Sequence, residues 1–319
     1  MALFVVITGA PGESLAAAPG IQRRIAITVD DLPGRLEQPT ARALRDINRR
    51  MVAALKAKRV PAIGFVNERF LQIDGERDTR AGLLRIWIDG GMALGNHLYR
   101  HRSLTSTPLA AYQDDVLRGE VLTRPLLEQR GLPLVYFRHP FLHTGPTVEI
   151  KRGFEAFLAT RGYKVAPATF DHSDWIFTRV YEHALARKDR GLKERTVAAF
   201  LHHFEQQAIL AEQASMALFG REIPQILMTH ANRINADHLA GWLSLLERRG
   251  YRFTSLDEAL ADPAYATPDT HAFREGVSWF TRWAAALERP LQRRQPPSIP
   301  EEIRESYREI STRAPEINE

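Results

Sequence analysis

The 319-residue chain contains no cysteine. Disulfides, a thiolate nucleophile and Cys-ligated zinc are therefore excluded, and any metal must sit on histidine and carboxylate ligands. No stretch of about 18 uninterrupted apolar residues occurs, so a membrane span is not expected. A strong charge of one sign is also missing. Lys and Arg number 43 against 38 Asp and Glu, a net charge of +5, and the basic residues are scattered along helix-patterned segments with few dense runs. That distribution favours solvated surfaces over a nucleic-acid footprint. Internal repeats are absent too. With 44% hydrophobic residues, the chain can bury a large core, as one α/β barrel or as two smaller domains.

Short β-rich runs alternate with longer segments of helical period, the pattern of a parallel sheet or barrel built from βα units. The expected strands are "IAITV" (25–29), "PAIGFV" (61–66), "MALGN" (92–96), "LVYF" (134–137), "YKVAPAT" (163–169), "QILMT" (225–229) and "YRFT" (251–254). Helices are expected at about 40–58, 79–90, 108–130, 147–161, 236–249 and 256–261. Seven strands suit an incomplete barrel better than an open sheet. Residues 179–220 form a helical insertion whose apolar spacing suits packing on the barrel wall. Residues 21–288 then make the barrel domain. From 289 to 319 the chain turns charged and Pro-containing, expected as a mobile tail with one short helix. The opening "MALFVVITGAPGESLAAAPG" has an apolar run with no basic residue before it. It reads as a secretory leader or as an unstructured lead-in, so a periplasmic or secreted location is expected, with a cytoplasmic one as the alternative.

The polar residues that resist a structural explanation follow the strands. Asp30 and Asp31 follow the first, His97 and His101 the third, Arg138 the fourth, Asp171 and Asp174 the fifth, and His230 the sixth. In a parallel barrel all strand C-termini open on one face, where active sites are built. His97 and His101 are four apart, which on a helical turn would bring two imidazoles to one side. With 11 histidines in the chain, a chance pair of surface or capping residues is the bland alternative. A carboxylate from the first strand end completes a two-histidine, one-carboxylate set with open positions for water and substrate. Successive residues leaving a strand point in different directions, so one of Asp30 and Asp31 can bind metal while the other faces water. The alternative is a turn or cap pair. Arg138, before Pro140, can orient a carboxylate and keep it ionised, or form an ordinary ion pair. Asp174 can hold a catalytic histidine, with Trp175 walling the pocket. Asp171 and His172 read as ordinary loop residues.

In this order the pieces resemble the polysaccharide deacetylases of the NodB-homology, carbohydrate esterase family 4 type. "TVDD" is similar to the TFDD motif, "HLYRH" to H-[S/T]-x-x-H, "RHPF" to R-x-x-[F/Y], "DHSDW" to D-x-x-D-W and "ILMTH" to the L-x-x-H closing strand. The resemblance spans roughly residues 25 to 260. It implies a distorted, incomplete (β/α)7 barrel that removes N-acetyl groups from a glycan or oligosaccharide. It also implies that Asp31, His97 and His101 bind a divalent metal, usually zinc. Asp30 would be the base that takes the proton of the attacking water, and Arg138 would orient it. His230, helped by Asp174, would protonate the departing amine. The metal and the backbone N–H near Phe141 would stabilise the oxyanion, and Met228 and Trp175 would shape the acetyl pocket.

The departures are Leu98 for the motif's hydroxyl residue, Arg100 beside the second metal histidine, and Val29 and Leu32 in the first motif. Leu98 removes a loop brace and Arg100 adds like charge near a cation. Two alternatives follow. One is hydrolysis of a non-glycan C–N bond on the same barrel, with the insertion covering the groove a polymer needs. The other is a glycan-binding protein without catalysis.

Overall fold

The computed structural model describes residues 22–291 and 298–313. The leader considered over residues 1–20 lies outside them. Eight strands form a single sheet: β1 (Arg23–Leu32), β2 (Ile63–Val66), β3 (Ala93–Asn96), β4 (Tyr136–Phe137), β5 (Lys164–Val165), β6 (Phe170–Asp171), β7 (Gln225–His230) and β8 (Tyr251–Phe253). The order is β5-β4-β3-β2-β1-β7-β6, with β8 also on β1, and every pairing is parallel.

β1 is the axis of the sheet because it serves three neighbours. Ile25 is in register with Gln225 on β7 and with Phe253 on β8. A strand has two edges, so β8 occupies near Ile25 the edge that β2 takes from Thr28 onward. Both faces of β1 are covered, as an all-parallel sheet requires. Ile25, Ile27 and Val29 face the layer between sheet and helices. Ala26 faces a second, inner cluster with Ile63, Phe65, Tyr136, Ala166 and Ile226, closed at its base by Leu256 and Ala259. Strand alternation then puts Thr28 and Asp30 on the inner face above Ala26, and Met228 and His230 above Ile226.

The fifth β-rich run does not form one strand. It pairs with β4 at Lys164–Val165 only, and the strand Phe170–Asp171 just past its end pairs with β7; the two stand at opposite ends of the sheet order. Between them Ala166 N donates to Phe137 O at 2.8 Å and Thr169 N to Ile226 O at 3.0 Å. The fully extended chain from 166 to 169 spans at most about 11 Å. The sheet is therefore curled until its edges nearly meet, and this segment bridges the seam. That is an incomplete (β/α)7 barrel, with the expected seven runs giving eight strands.

Helices at Ala41–Ala57, Arg77–Asp89, Val148–Thr160, Arg233–Arg248 and Leu256–Leu260 fall where the pattern places them. The expected helix over 108–130 is interrupted at Gly119 and becomes Leu109–Arg118 and Thr123–Glu128. The insertion consists of Asp174–Ala186 and the 30-residue Arg190–Phe219, which buries Phe200, Phe204, Ala208 and Leu218 in the core. Residues Glu301–Arg313 form a helix with Ile303 and Ile310 buried, and Tyr307 meets Trp175 edge-on at 5.5 Å.

Asn48 joins the helical layer to the turn that follows the carboxylates. Its amide donates to Pro33 O at 2.6 Å and Leu44 O at 2.7 Å, and its Oδ1 accepts the indole N–H of buried Trp87 at 2.6 Å. Replacing Asn48 with Ala leaves a buried donor and acceptor unpaired. The expected loss is about 2–3 kcal/mol of unfolding free energy, read from urea denaturation.

Candidate active site

Asp30 and Asp31 end β1 fully inside the molecule. Alternation aims Asp30 at the barrel interior and should aim Asp31 away from it. Asp31 instead has φ of 66°, and the β1–β2 register shifts between Val29 and Leu32. The backbone thereby turns the second carboxylate back toward the first. The two side chains do not diverge as strand geometry predicts: both approach His97 Nε2, Asp31 Oδ1 at 3.6 Å and Asp30 Oδ2 at 3.9 Å.

His97 follows β3, and His101 is reached through a loop that is not helical. Leu98 (φ 67°) and His101 (φ 55°) are both left-handed, and these two turns set the imidazole centroids 4.9 Å apart. The helical-turn expectation is corrected here, although the convergence it aimed at is present. His101 Nε2 lies 3.4 Å from Asp31 Oδ1. One ligand atom from each of Asp31, His97 and His101 falls within 4.8 Å of the others.

The donor atoms are in the state a cation requires. His97 Nδ1 is 2.8 Å from Arg138 O, to which it donates, so Nε2 carries the free lone pair. Burial pushes His97 well below the usual imidazole range and His101 down to about 4, leaving both neutral. Burial alone would raise the Asp31 carboxyl, but Arg35, at 3.0 Å from Oδ2, and the cationic His230 hold it well below the ordinary carboxylate range. Asp31 Oδ1 is buried without a hydrogen-bond partner. An ionised oxygen with no donor, facing two neutral imidazole nitrogens, fits a divalent cation.

Asp30 is set differently. Burial pushes it up to about 6 against the pull of Arg138, whose Nη1 stands 3.7 Å from Oδ2. Arg138 is fully buried, lies over the Phe65 ring at 5.0 Å and donates from Nη2 to Thr28 Oγ1 at 2.8 Å. Thr28 passes its own hydrogen to Leu227 O at 2.7 Å. The guanidinium is thus positioned by the same strand pair that carries Asp30 and His230, which are in direct register.

His230 is paired with Asp174. Its Nδ1 lies 2.6 Å from Asp174 Oδ1, and its backbone N–H donates to Oδ2 at 2.8 Å. Oδ2 also accepts from Thr229, Asn232 and Asn235. Burial would make His230 neutral, yet Asp174 overrides it and pushes the imidazole up to about 10. Asp171 accepts Ser173 N–H in a local turn, and His172 packs among Phe200, Phe204 and Trp242.

A pocket of about 400 Å³ opens above this group, with Asp31, His101 and His230 at its floor and Trp175 and Tyr307 on its wall. Phe141 is half exposed with φ of 57° and packs edge-on to His101 at 4.5 Å, while Met228 is buried on β7. Neither of these two lines the pocket.

Several contributors were not singled out from the sequence. Asn96 Oδ1 accepts Leu98 N–H at 2.8 Å and its amide reaches Val116 O, while Asn67 donates to His97 O. These bonds replace the brace that Leu98 cannot supply. Arg100 N–H is held by Asp115 Oδ2 at 2.8 Å. A Cβ on Gly119 would come within 2.7 Å of the Leu98 backbone carbon and 2.9 Å of Tyr99 N. The loop that carries His97 and His101 rests on that bare glycine.

Paired carboxylates and two histidines thus meet at the strand C-termini of a parallel, incomplete barrel, the face on which such barrels build their sites. Residues 17–151 are similar to the polysaccharide deacetylase family, and Asp30, Asp31, His97, His101 and Arg138 lie within the matched region. No curated protein matches the sequence. Among solved structures, the fold is shared with a CE4-family pseudoenzyme from Bacillus anthracis (14% identity, 76% of this chain and 66% of that one, TM-score 0.51). A mutant of that pseudoenzyme with restored activity aligns at 16% identity over 76% and 69%, TM-score 0.50. A Streptococcus mutans CE4 esterase aligns at 19% identity over 73% and 86%, TM-score 0.51.

Asp174→Asn removes the charge that keeps His230 protonated. The His230 titration, followed by NMR of its imidazole, is expected to move down from about 10 toward the ordinary histidine range. Any activity that needs the imidazolium then loses its alkaline limb at lower pH.

Proposed function

We propose that the protein is a metal-dependent hydrolase that removes N-acetyl groups from an amino-sugar glycan. The observation that carries this reading is the convergence of Asp31 Oδ1 with the Nε2 atoms of His97 and His101, beside an Asp30 and a His230 in register on adjacent strands. The similarity to the polysaccharide deacetylase family over the region holding the ends of β1, β3 and β4 supports it.

Asp31, His97 and His101 would hold the cation, and a set of two imidazoles and one carboxylate without thiolate suits zinc. When bound, such a cation supplies Lewis-acid polarisation of a carbonyl and acidification of water. Asp30, with a proton affinity poised near neutrality, takes a proton from the water that attacks the acetyl carbonyl. Arg138 keeps that carboxylate aimed inward. As the C–N bond breaks, the amine nitrogen takes its proton from His230, and Asp174 stabilises the imidazolium before transfer. The products are acetate and the free amino sugar. The turn at Phe141, packed on His101, is the place for a backbone oxyanion donor. Trp175 offers a flat face for a sugar ring.

A second reading keeps the site and changes the substrate to a non-glycan amide. The observation favouring it is the pocket itself, about 400 Å³ with the Glu301–Arg313 helix contributing Tyr307 to its wall, which is the size of a small-molecule site.

Elemental analysis of the purified protein is expected to find about one divalent cation per chain, lost in a His97→Ala His101→Ala double variant. Acetate release from N-acetylglucosamine oligomers is expected to fall by a factor of about 10² to 10⁴ in Asp30→Asn while the cation stays bound. A wild type that binds no divalent cation overturns the mechanism. Turnover of small N-acetyl amides with none on glycans selects the second reading.

A further inference from the structure

The two candidate ligand histidines are oriented by different means. His97 is fixed by the hydrogen bond from its Nδ1 to Arg138 O at 2.8 Å. The His101 ring stands edge-on between His97, at 4.9 Å and 71°, and Phe141, at 4.5 Å and 67°, and among the described residues no hydrogen bond holds its Nδ1. A metal-binding imidazole is ordinarily aimed by a partner on its other nitrogen. At His101 that task falls to the neighbouring rings, and Phe141 is the one that comes from a different loop.

Phe141 does not hold its place unaided. Phe141 (φ 57°) and Leu142 (φ 55°) are both left-handed, which residues with side chains keep only where their surroundings impose it. Here the surroundings include an irregular strap, residues 267–278, that leads into the helix Trp279–Ala286. Near its start Asp269 O accepts from buried Lys151 Nζ at 2.7 Å, and at its end Trp279 N–H donates to Ala168 O in the barrel seam at 2.9 Å. Between these anchors Arg274 O accepts from Thr105 Oγ1 at 3.2 Å, in the loop that follows His101. Buried Arg282 lies over the strap's Phe273 ring at 5.2 Å and donates to Leu142 O at 3.0 Å and Thr144 Oγ1 at 2.8 Å. The strap therefore joins the loop of His101 to the loop of Phe141.

Gly276 is the point at which the strap meets the turn. A Cβ there would overlap the Phe141 carbonyl oxygen and come within 3.0 Å of its carbonyl carbon and 3.4 Å of His143 Cδ2. The backbone of Gly276 is outside the left-handed region, so the position needs the absence of a side chain and not conformational freedom. Its other side is exposed, away from the core.

We infer that the strap is a positioning device for the cation site: Gly276 seats Phe141, and the Phe141 ring sets the His101 imidazole. The inference rests on reading Asp31, His97 and His101 as that site. Gly276 and Phe141 are positioning residues, acting on the cation through His101, and the strap lies beyond the region of similarity at 17–151.

The test titrates zinc into the chelator-stripped full chain against a competing chelator dye. Phe141→Leu and Gly276→Ala are each expected to weaken binding by about tenfold, the range typical of groups that orient a ligand. Phe141→Tyr, which keeps the ring, and Arg274→Gln, whose side chain is exposed, are expected to stay close to wild type. A Phe141→Leu Gly276→Ala double variant is expected to bind no more weakly than Phe141→Leu alone, because both act through one contact. In the cation-free protein the His101 imidazole signals, displaced by the adjacent Phe141 ring, are expected to move in both single variants. Thermal melting is expected to change little, since both substitutions are at the surface. Wild-type affinity in either single variant, or losses that add in the double variant, overturns the inference. If Gly276→Ala melts far below wild type, the Phe141→Leu and Phe141→Tyr pair decides. Zinc binding that follows the expected pattern without acetate release from any N-acetylated sugar overturns the deacetylase reading alone. Acetate release with zinc affinity indifferent to both positions overturns the inference alone, and a wild type that binds no divalent cation overturns both.

Discussion

Two carboxylates buried on consecutive residues repel each other and lose their hydration, so each must be answered by a positive or hydrogen-bonding partner of its own. Much of the site follows from that requirement at Asp30 and Asp31. Beneath Asp30 lies Arg138, itself fully buried, which is made tolerable by the Phe65 ring and the Thr28 hydroxyl. Arg35 stands beside Asp31, with the two imidazoles opposite. The partners are different, and so the two neighbours become different groups: one carboxyl is pushed up toward neutrality and the other is held ionised. The division of roles between adjacent, chemically identical side chains is a property of their surroundings.

The same logic separates the two sides of the barrel mouth. Asp30 and His230 are both buried and in register on adjacent parallel strands, yet burial decides the first and a charged partner the second. Asp174 can impose its charge because four groups besides the imidazole ring donate to its Oδ2, and it opens the helix Asp174–Ala186. A carboxylate with that many donors stays ionised even in the core. A carboxyl pushed up toward neutrality and an imidazole held protonated therefore stand side by side on adjacent strands.

What was legible in the sequence was periodic. Alternation in "IAITVDD" marks which residues of β1 face inward, and runs of apolar residues ending in single polar ones mark the strand ends that carry Asp30, His97, Arg138 and His230. The left-handed residues were not legible. Asp31, Leu98 and His101 carry no glycine or asparagine to announce positive φ, because contacts far along the chain hold them there. The loop support from Asn96, Asn67 and Gly119 is equally silent, since its meaning depends on which distant backbone lies against each. The division of "YKVAPAT" was missed because period alone cannot tell a strand from a segment that leaves one neighbour for another. One short helix was expected in the charged tail, and Glu301–Arg313 is a helix; its docking through Ile303 and Ile310, seven residues apart, was not legible in the composition.

The position of β7 has a consequence for how the molecule comes into being. It fills the edge of β1 from Ile25 to Asp30 and also receives β6, but it is not synthesised until residues 225–230. During synthesis from the N-terminus, more than half of the chain emerges while that edge of the central strand has no partner and the seam has nothing to close against. Non-local pairing of this kind is slow and leaves a strand edge open meanwhile. The chain thus carries Asp30 on its first strand and His230 on its next-to-last, and the two come into register only when the barrel is almost complete.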